Sequence, residues 1–274
     1  MVYLNRVYLI GGNSNGTIVS TIYSTLIDNE GNLGSWSVIG ELPFALKSMS
    51  CIITKNLLTC MGGVRTSGAV INVIQCPINE DGTLGTWYSC PSLPDGRRSA
   101  SVLPTKNWVY LIGGNTGSTS VNTVLRAPLL PTGLLGNWTT YGTIPAQRQE
   151  SNIVSSGGRV YLLGGGTSSS SGTANTVYSA TINSDGSLGS WASNTNLAEA
   201  TRNAYIFITS SRIYICGGYR NTTRLTSVRF ANFVGGLNDY SEWYSENKRA
   251  TSSGYFRLPY KKSELLGTEC FIRC

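Results

Sequence analysis

Histidine is absent from this 274-residue chain. That absence removes the commonest general base, the Ser-His-Asp triad and most transition-metal sites. Charge is scarce as well, at 13% of residues with only 14 acids, about half the usual share. Glycoside hydrolysis needs two carboxylates facing one pocket. Here Asp28, Glu30, Glu80, Asp81, Asp185 and Asp239 fall in turn-like segments, and Glu150 and Glu199 have no obvious partner in the sequence. We therefore expect no catalytic residues, no metal and no cofactor, hence no enzyme. No apolar run approaches the ~20 residues of a membrane span, and the start Met1-Val2-Tyr3-Leu4-Asn5-Arg6 lacks a signal-peptide layout. The basic excess of +7 is modest, and six of the 21 basic residues (Lys248, Arg249, Arg257, Lys261, Lys262, Arg273) crowd the end of the chain. A nucleic-acid surface would want a denser stripe with aromatics interleaved, so nucleic acid is not an expected partner.

What is present is a repeat. Glycine pairs stand at Gly11-Gly12, Gly62-Gly63, Gly113-Gly114, Gly164-Gly165 and Gly217-Gly218. Tryptophans follow at Trp36, Trp87, Trp138, Trp191 and Trp243, so both series step by 51 to 53 residues. A period near fifty marks a repeat architecture. In the second unit, residues 47–54 read as a strand, Lys55-Asn56 as a tight turn and residues 57–61 as the returning strand. Gly62-Gly63 ends it, because paired glycines accept positive φ and let a neighbour approach closely. Residues 70–78 form the third strand. A turn containing Gly82 follows, and Trp87 opens the fourth. Four antiparallel strands per unit make a propeller blade, and blades stack radially. Trp in strand four and Tyr in strand two (Tyr8, Tyr110, Tyr161, Tyr214) are expected to fill the space between blades.

The fold class is therefore all-β, a β-propeller of four-stranded antiparallel blades over residues 1–258, with a basic tail at 259–274. Five blades are expected, with six the alternative if residues 260–274 begin another. In the five-blade reading, Leu258 aligns with Cys51 and Met1 with Ile52. N- and C-terminal segments would then share the innermost strand of the first blade and close the ring.

The run Tyr-x-x-Gly-Gly, a downstream Trp and then Leu-Pro (Leu42-Pro43, Leu93-Pro94) resembles kelch-repeat β-propellers over residues 6 to about 258. The Gly-x-Leu-Gly-x-Trp turn (residues 31–36, 82–87, 133–138, 186–191) departs from the usual kelch pattern and resembles kelch-like repeats of bacteriophage tail and bacterial surface proteins. Asp81 and Asp185 before its glycine also resemble a sialidase Asp-box, at a different spacing. The resemblance implies a binding module in a virion or at a cell surface, with a cytoplasmic setting as the alternative. Its partner would be a glycan or an acidic protein segment; the alternatives are a structural virion component that docks other subunits, with the tail as anchor, and, second, a glycan-processing enzyme. The copper oxidases built on kelch-like propellers need histidine ligands that this chain lacks.

Propeller geometry puts the two-to-three loops and the four-to-one connections on one face, and variable loops on a rigid scaffold are where binding residues usually sit. Eleven residues after successive tryptophans stand Lys47, Arg98, Gln149 and Arg202, with Arg148 adjacent. These are expected around one mouth of the central channel, where guanidinium and ammonium donors match a carboxylate or sulfate. Arg65 and the loop residues Tyr219, Arg220 and Arg224 extend the set.

The seven cysteines are an odd number, so at least one is unpaired within a monomer. Four lie in one repeat: Cys51, Cys60, Cys76 and Cys90. Cys51 and Cys60 are symmetric about Lys55-Asn56 and should face each other across the hairpin. Their counterparts Val102 and Leu111 are ordinary core residues, so buried thiols are expected rather than a zinc site or a disulfide.

Overall fold

A computed structural model describes residues 1–167, 172–209, 211–234, 239–240 and 244–246. It shows a β-propeller of five blades, each a four-stranded antiparallel meander, with no helix among the described residues. Blade 1 comprises Val2–Tyr3, Arg6–Ser14, Thr17–Leu26 and Ser37–Glu41. Blade 2 comprises Ser50–Thr54, Leu57–Met61, Val73–Pro77 and Tyr88–Ser89. Blade 3 runs through Ser101–Pro104, Trp108–Ile112, Thr123–Pro128 and Thr139–Thr143. Blade 4 runs through Asn152–Ser156, Arg159–Leu163, Val177–Thr181 and Ala192–Asn194. Blade 5 has Tyr205–Ile208, Arg212–Cys216, Val228–Val234 and Tyr244–Glu246, with Asp239–Tyr240 also pairing on its third strand.

The glycine pairs act as the close-approach points that their chemistry suggests. The second glycine of each of the first four pairs donates its N–H to a carbonyl leading into the next blade: Gly12 to Leu46, Gly63 to Arg97, Gly114 to Arg148 and Gly165 to Thr201, at 2.7–2.8 Å. The first glycine lies against the same carbonyl. A Cβ on Gly62 would fall 1.9 Å from the Arg97 oxygen, and φ there is +60°. A side chain is excluded by backbone conformation and by space at once.

The cores lie between blades. One apolar cluster joins blades 1 and 2 through Tyr8, Ile22 and Leu58, and another joins blades 2 and 3 through Ile52, Leu111 and Trp138. Blades 3 and 4 share Tyr110, Val160 and Leu188, while blades 4 and 5 share Tyr161, Leu163 and Ile215. The strand-two tyrosines reach the following blade: Tyr8 Oη donates to the Gly82 carbonyl and Tyr110 Oη to that of Gly186, both at 3.3 Å. Each acceptor belongs to the three-to-four turn, closed by the repeated bridges Ile27–Leu33, Ile78–Leu84, Leu129–Leu135 and Ile182–Leu188.

Blade 1 departs from this arrangement on its leading face. Leu33 is 55% exposed where its counterpart Leu135 is 4%, and Trp36 is 46% exposed where Trp138 is 7%. Gly31 has no atom near its would-be Cβ, and the Tyr214 hydroxyl of blade 5 instead accepts from Arg212. At the N-terminus, Val2 and Tyr3 pair with Val7 and Arg6, and the Met1 amine donates to the Tyr8 carbonyl at 2.9 Å. The N-terminal contribution to the innermost strand of blade 1 is thus in place. The expected contribution of residues 254–258, Trp243, and the basic tail 259–274 lie outside the described residues.

Candidate functional site

The inner strands surround an axial cavity of about 770 Å³ whose walls come from all five blades. Its mouth is formed by the residue twelve places after each of the first four repeat tryptophans: Ser48, Ser99, Glu150 and Asn203. All four have left-handed backbone, with φ of 54°, 53°, 55° and 49°. Such angles are uncommon outside glycine. Here they turn successive peptide groups around the axis. Ser99 N–H donates to the Ser48 carbonyl at 2.8 Å, Glu150 N–H to Ser99 at 2.8 Å, and Asn203 N–H to Glu150 at 3.1 Å. Blades 2 to 5 are therefore joined at the mouth by a circumferential chain of main-chain hydrogen bonds.

Below the collar the wall changes character. The Ser50 and Ser101 hydroxyls donate across blade boundaries to the Ala100 and Ser151 carbonyls, and Asn152 Nδ2 is buried with no hydrogen-bond partner. One residue further along come Cys51, Val102, Ile153 and Ile206. A polar collar over a mainly apolar well, of this volume, matches the general form of ligand pockets.

The expected site residues divide into four groups. Lys47, Arg98, Gln149 and Arg202 sit one residue before the collar, and none lines the cavity itself. Each pairs by backbone bridge with the residue after the glycine pair of its own blade: Val64, Asn115, Gly166 and Tyr219. The mouth and the two-to-three loops therefore share one face. Among the described residues, Lys47 Nζ and the terminal nitrogens of Arg98 have no partner, and Arg98 Nε donates to Asn115 Oδ1 at 3.3 Å. Arg202 is engaged: Nη1 donates to Glu150 Oε2 at 2.9 Å and Nη2 to the Asn221 carbonyl at 3.2 Å. Arg148 stands apart from the mouth. It is buried between blades 3 and 4, donating to Gln147 O, Thr176 Oγ1 and Tyr178 Oη, and burial pulls its guanidinium below the ordinary value.

Further out on the same face, the Arg65 guanidinium lies 4.7 Å from the Phe44 ring centre. Arg220 pairs with Glu199 at 3.4 Å, and Arg224 Nε donates to the Tyr219 hydroxyl at 3.3 Å. Only Tyr219 of this group lines the cavity. Glu150 and Glu199 are both held in ion pairs. Glu150 holds Arg202, and Glu199 holds Arg220 and the buried Arg229. Sequence reasoning passed over the collar itself. Its signal was small or polar residues recurring in register at 48, 99, 150 and 203, of which only Asn favours the left-handed region strongly.

Among the described residues, no group of three or more His, Cys, Asp or Glu is placed to hold a metal ion. No helix there is long and apolar enough to cross a membrane. No family model matches the chain, and no curated protein matches it. Among solved structures it is similar to YjhT, with a TM-score of 0.68, 12% identity, and 89% of this chain covering 81% of that one. At that identity the likeness is one of fold.

Proposed function

We propose that the protein is a non-enzymatic recognition module that takes the end of a polar, carboxylate-bearing ligand into the collar of its axial cavity. The observation that carries this reading is a hydrogen-bonded polar collar flanked by Lys47 and Arg98, whose terminal nitrogens have no partner among the described residues. Ser48, Ser99, Asn203 and Tyr219 supply hydroxyl and amide groups suited to a sugar, and the two cations supply the match for its acid group. The kelch-like repeat pattern supports a setting in a phage virion or on a bacterial surface, where an acidic glycan is the natural ligand and an acidic protein segment the alternative. Glu150 and Glu199, each held by arginine, supply structural ion pairs in this reading rather than a catalytic pair. The test is an array of neutral and acidic glycans with acidic peptides as a second set, followed by titration of the best ligand. Lys47→Ala with Arg98→Ala should weaken acidic ligands at least tenfold and neutral ones little. Unchanged binding of the acidic ligand would remove the site.

A second reading, docking of other subunits, is favoured by the exposed Leu33, Trp36 and Val38 on the leading face of blade 1. Native mass measurement distinguishes it by a stable assembly that Trp36→Ser weakens.

A further inference from the structure

We infer that Cys51 and Cys60 are a dithiol that closes to a disulfide when a small disulfide oxidant enters the axial cavity. The two residues are directly opposed in the register of the first hairpin of blade 2. The two-residue turn at Lys55-Asn56 makes Thr54 and Leu57 the hydrogen-bonded flanking pair. Alternation along the ladder then places Cys51 and Cys60 on a non-hydrogen-bonded pair, where Cα atoms approach to about 4.5 Å and side chains are closest. That spacing lies within the range a disulfide spans. The sulfurs are 3.1 Å apart, so rotation about the two Cα–Cβ bonds brings them to bonding distance.

The two thiols are unequal in a useful way. Cys51 is partly exposed and lines the cavity, whereas Cys60 is fully buried and its thiol is pushed well up by that burial, with Cys51 adding to the effect. Cys51 is thus the thiol an oxidant meets, and Cys60 the one that resolves the adduct. In the first step the Cys51 thiolate attacks one sulfur of the oxidant, forming a mixed disulfide and releasing one thiolate. In the second, Cys60 gives up its proton and its sulfur attacks Cys51 Sγ, expelling the second thiolate. The protein loses two electrons and two protons, and the oxidant becomes two thiols. The remaining cysteines of this blade are disposed otherwise: the Cys76 thiol donates to the Gly85 carbonyl at 3.1 Å and the Cys90 thiol to Gln75 Oε1 at 2.9 Å. In blades 3 to 5 the same pair of positions is apolar (Val102 and Leu111, Ile153 and Leu162, Ile206 and Ile215), and in blade 1 Leu9 stands where blade 2 has Cys60, so among the described residues the device belongs to blade 2. It lies three residues below the collar serine Ser48, inside the wall on which the proposed ligand would rest, but does not depend on that proposal.

The full chain is to be incubated with glutathione disulfide and digested without reduction. The expected result is a 51–60 linked peptide, loss of two titratable thiols, and full reversal by dithiothreitol. Cys60→Ser should instead accumulate a glutathione adduct on Cys51. A link from Cys51 or Cys60 to any other cysteine, a persistent Cys51 adduct in the unsubstituted chain, or an unchanged thiol count after prolonged incubation would each overturn the inference. Mapping on the unsubstituted chain decides the matter even if the variant fails to fold.

Discussion

Arg202 and Glu150 are joined across the boundary of blades 4 and 5, Nη1 to Oε2 at 2.9 Å, with both side chains less than one-fifth exposed. The pair neutralises one side of the cavity mouth and leaves Lys47 and Arg98 as the cations on the other. Glu150→Gln keeps the shape, removes the negative charge and leaves Arg202 able to meet an anion. We expect affinity for an acidic ligand to rise severalfold in calorimetric titration and stability to fall by about 1 kcal/mol. A loss of affinity would place Glu150 itself in contact with the ligand.

Arg97 is wholly buried and held by Asp95 at 2.6 and 2.9 Å, with Nη1 donating to the Gly113 carbonyl at 2.9 Å. Removing the acid strands a buried cation, which costs several kcal/mol in closed sites. Because Asp95 is half exposed, Asp95→Ala is expected at the low end, about 3 kcal/mol. Denaturant unfolding checks this, and Asp95→Asn should recover part of the loss.

Gly62 and Gly16 both have positive φ, +60° and +89°, but only Gly62 faces a carbonyl at its would-be Cβ. Gly62→Ala should therefore cost about 3 kcal/mol or more, and Gly16→Ala about 1 kcal/mol. Similar melting temperatures for the two variants would contradict the close approach between blades 2 and 3.

Trp138 and Trp36 hold the same repeat position, yet one is buried and the other nearly half exposed. Trp138→Ala should cost about 4 kcal/mol and Trp36→Ala about 1 kcal/mol by unfolding. Equal costs would mean that the leading face of blade 1 is covered in solution.

Burial pushes the Cys76 and Cys90 thiols up to about 11 from an ordinary 9.0. The folded chain holds these protons more tightly than the unfolded chain. Their contribution is therefore undiminished below the ordinary thiol value and is lost as pH rises through about 9 to about 11. The melting temperature should be flat up to about pH 8 and fall beyond it, and less steeply in Cys76→Ala with Cys90→Ala. An identical alkaline fall in both proteins would assign it to other groups.

The fold was legible because its signals recur in register. Five glycine pairs, the four described repeat tryptophans and a two-residue turn between Cys51 and Cys60 each sit at the same place in their blades. The mouth of the cavity was legible to within one residue. Lys47, Arg98, Gln149 and Arg202 do stand at the starts of inner strands, but the cavity is lined by their successors. That offset arises from left-handed backbone at Ser48, Ser99 and Glu150, residue types that do not announce such angles. Arg148 was misplaced for a related reason. The chain turns sharply between it and Glu150, so neighbours in sequence point to different sides of the blade. The pairing of Arg202 with Glu150 joins residues 52 apart, beyond what local pattern carries.

The amide groups of the collar also constrain what can be recognised there. Those of Ser99, Glu150 and Asn203 are spent sideways, on one another's carbonyls. They cannot converge on an oxyanion in the way that backbone nests and helix ends do. Negative charge has to be met by long, flexible side chains at the periphery, so discrimination should follow ionic strength closely at the rim and weakly on the axis.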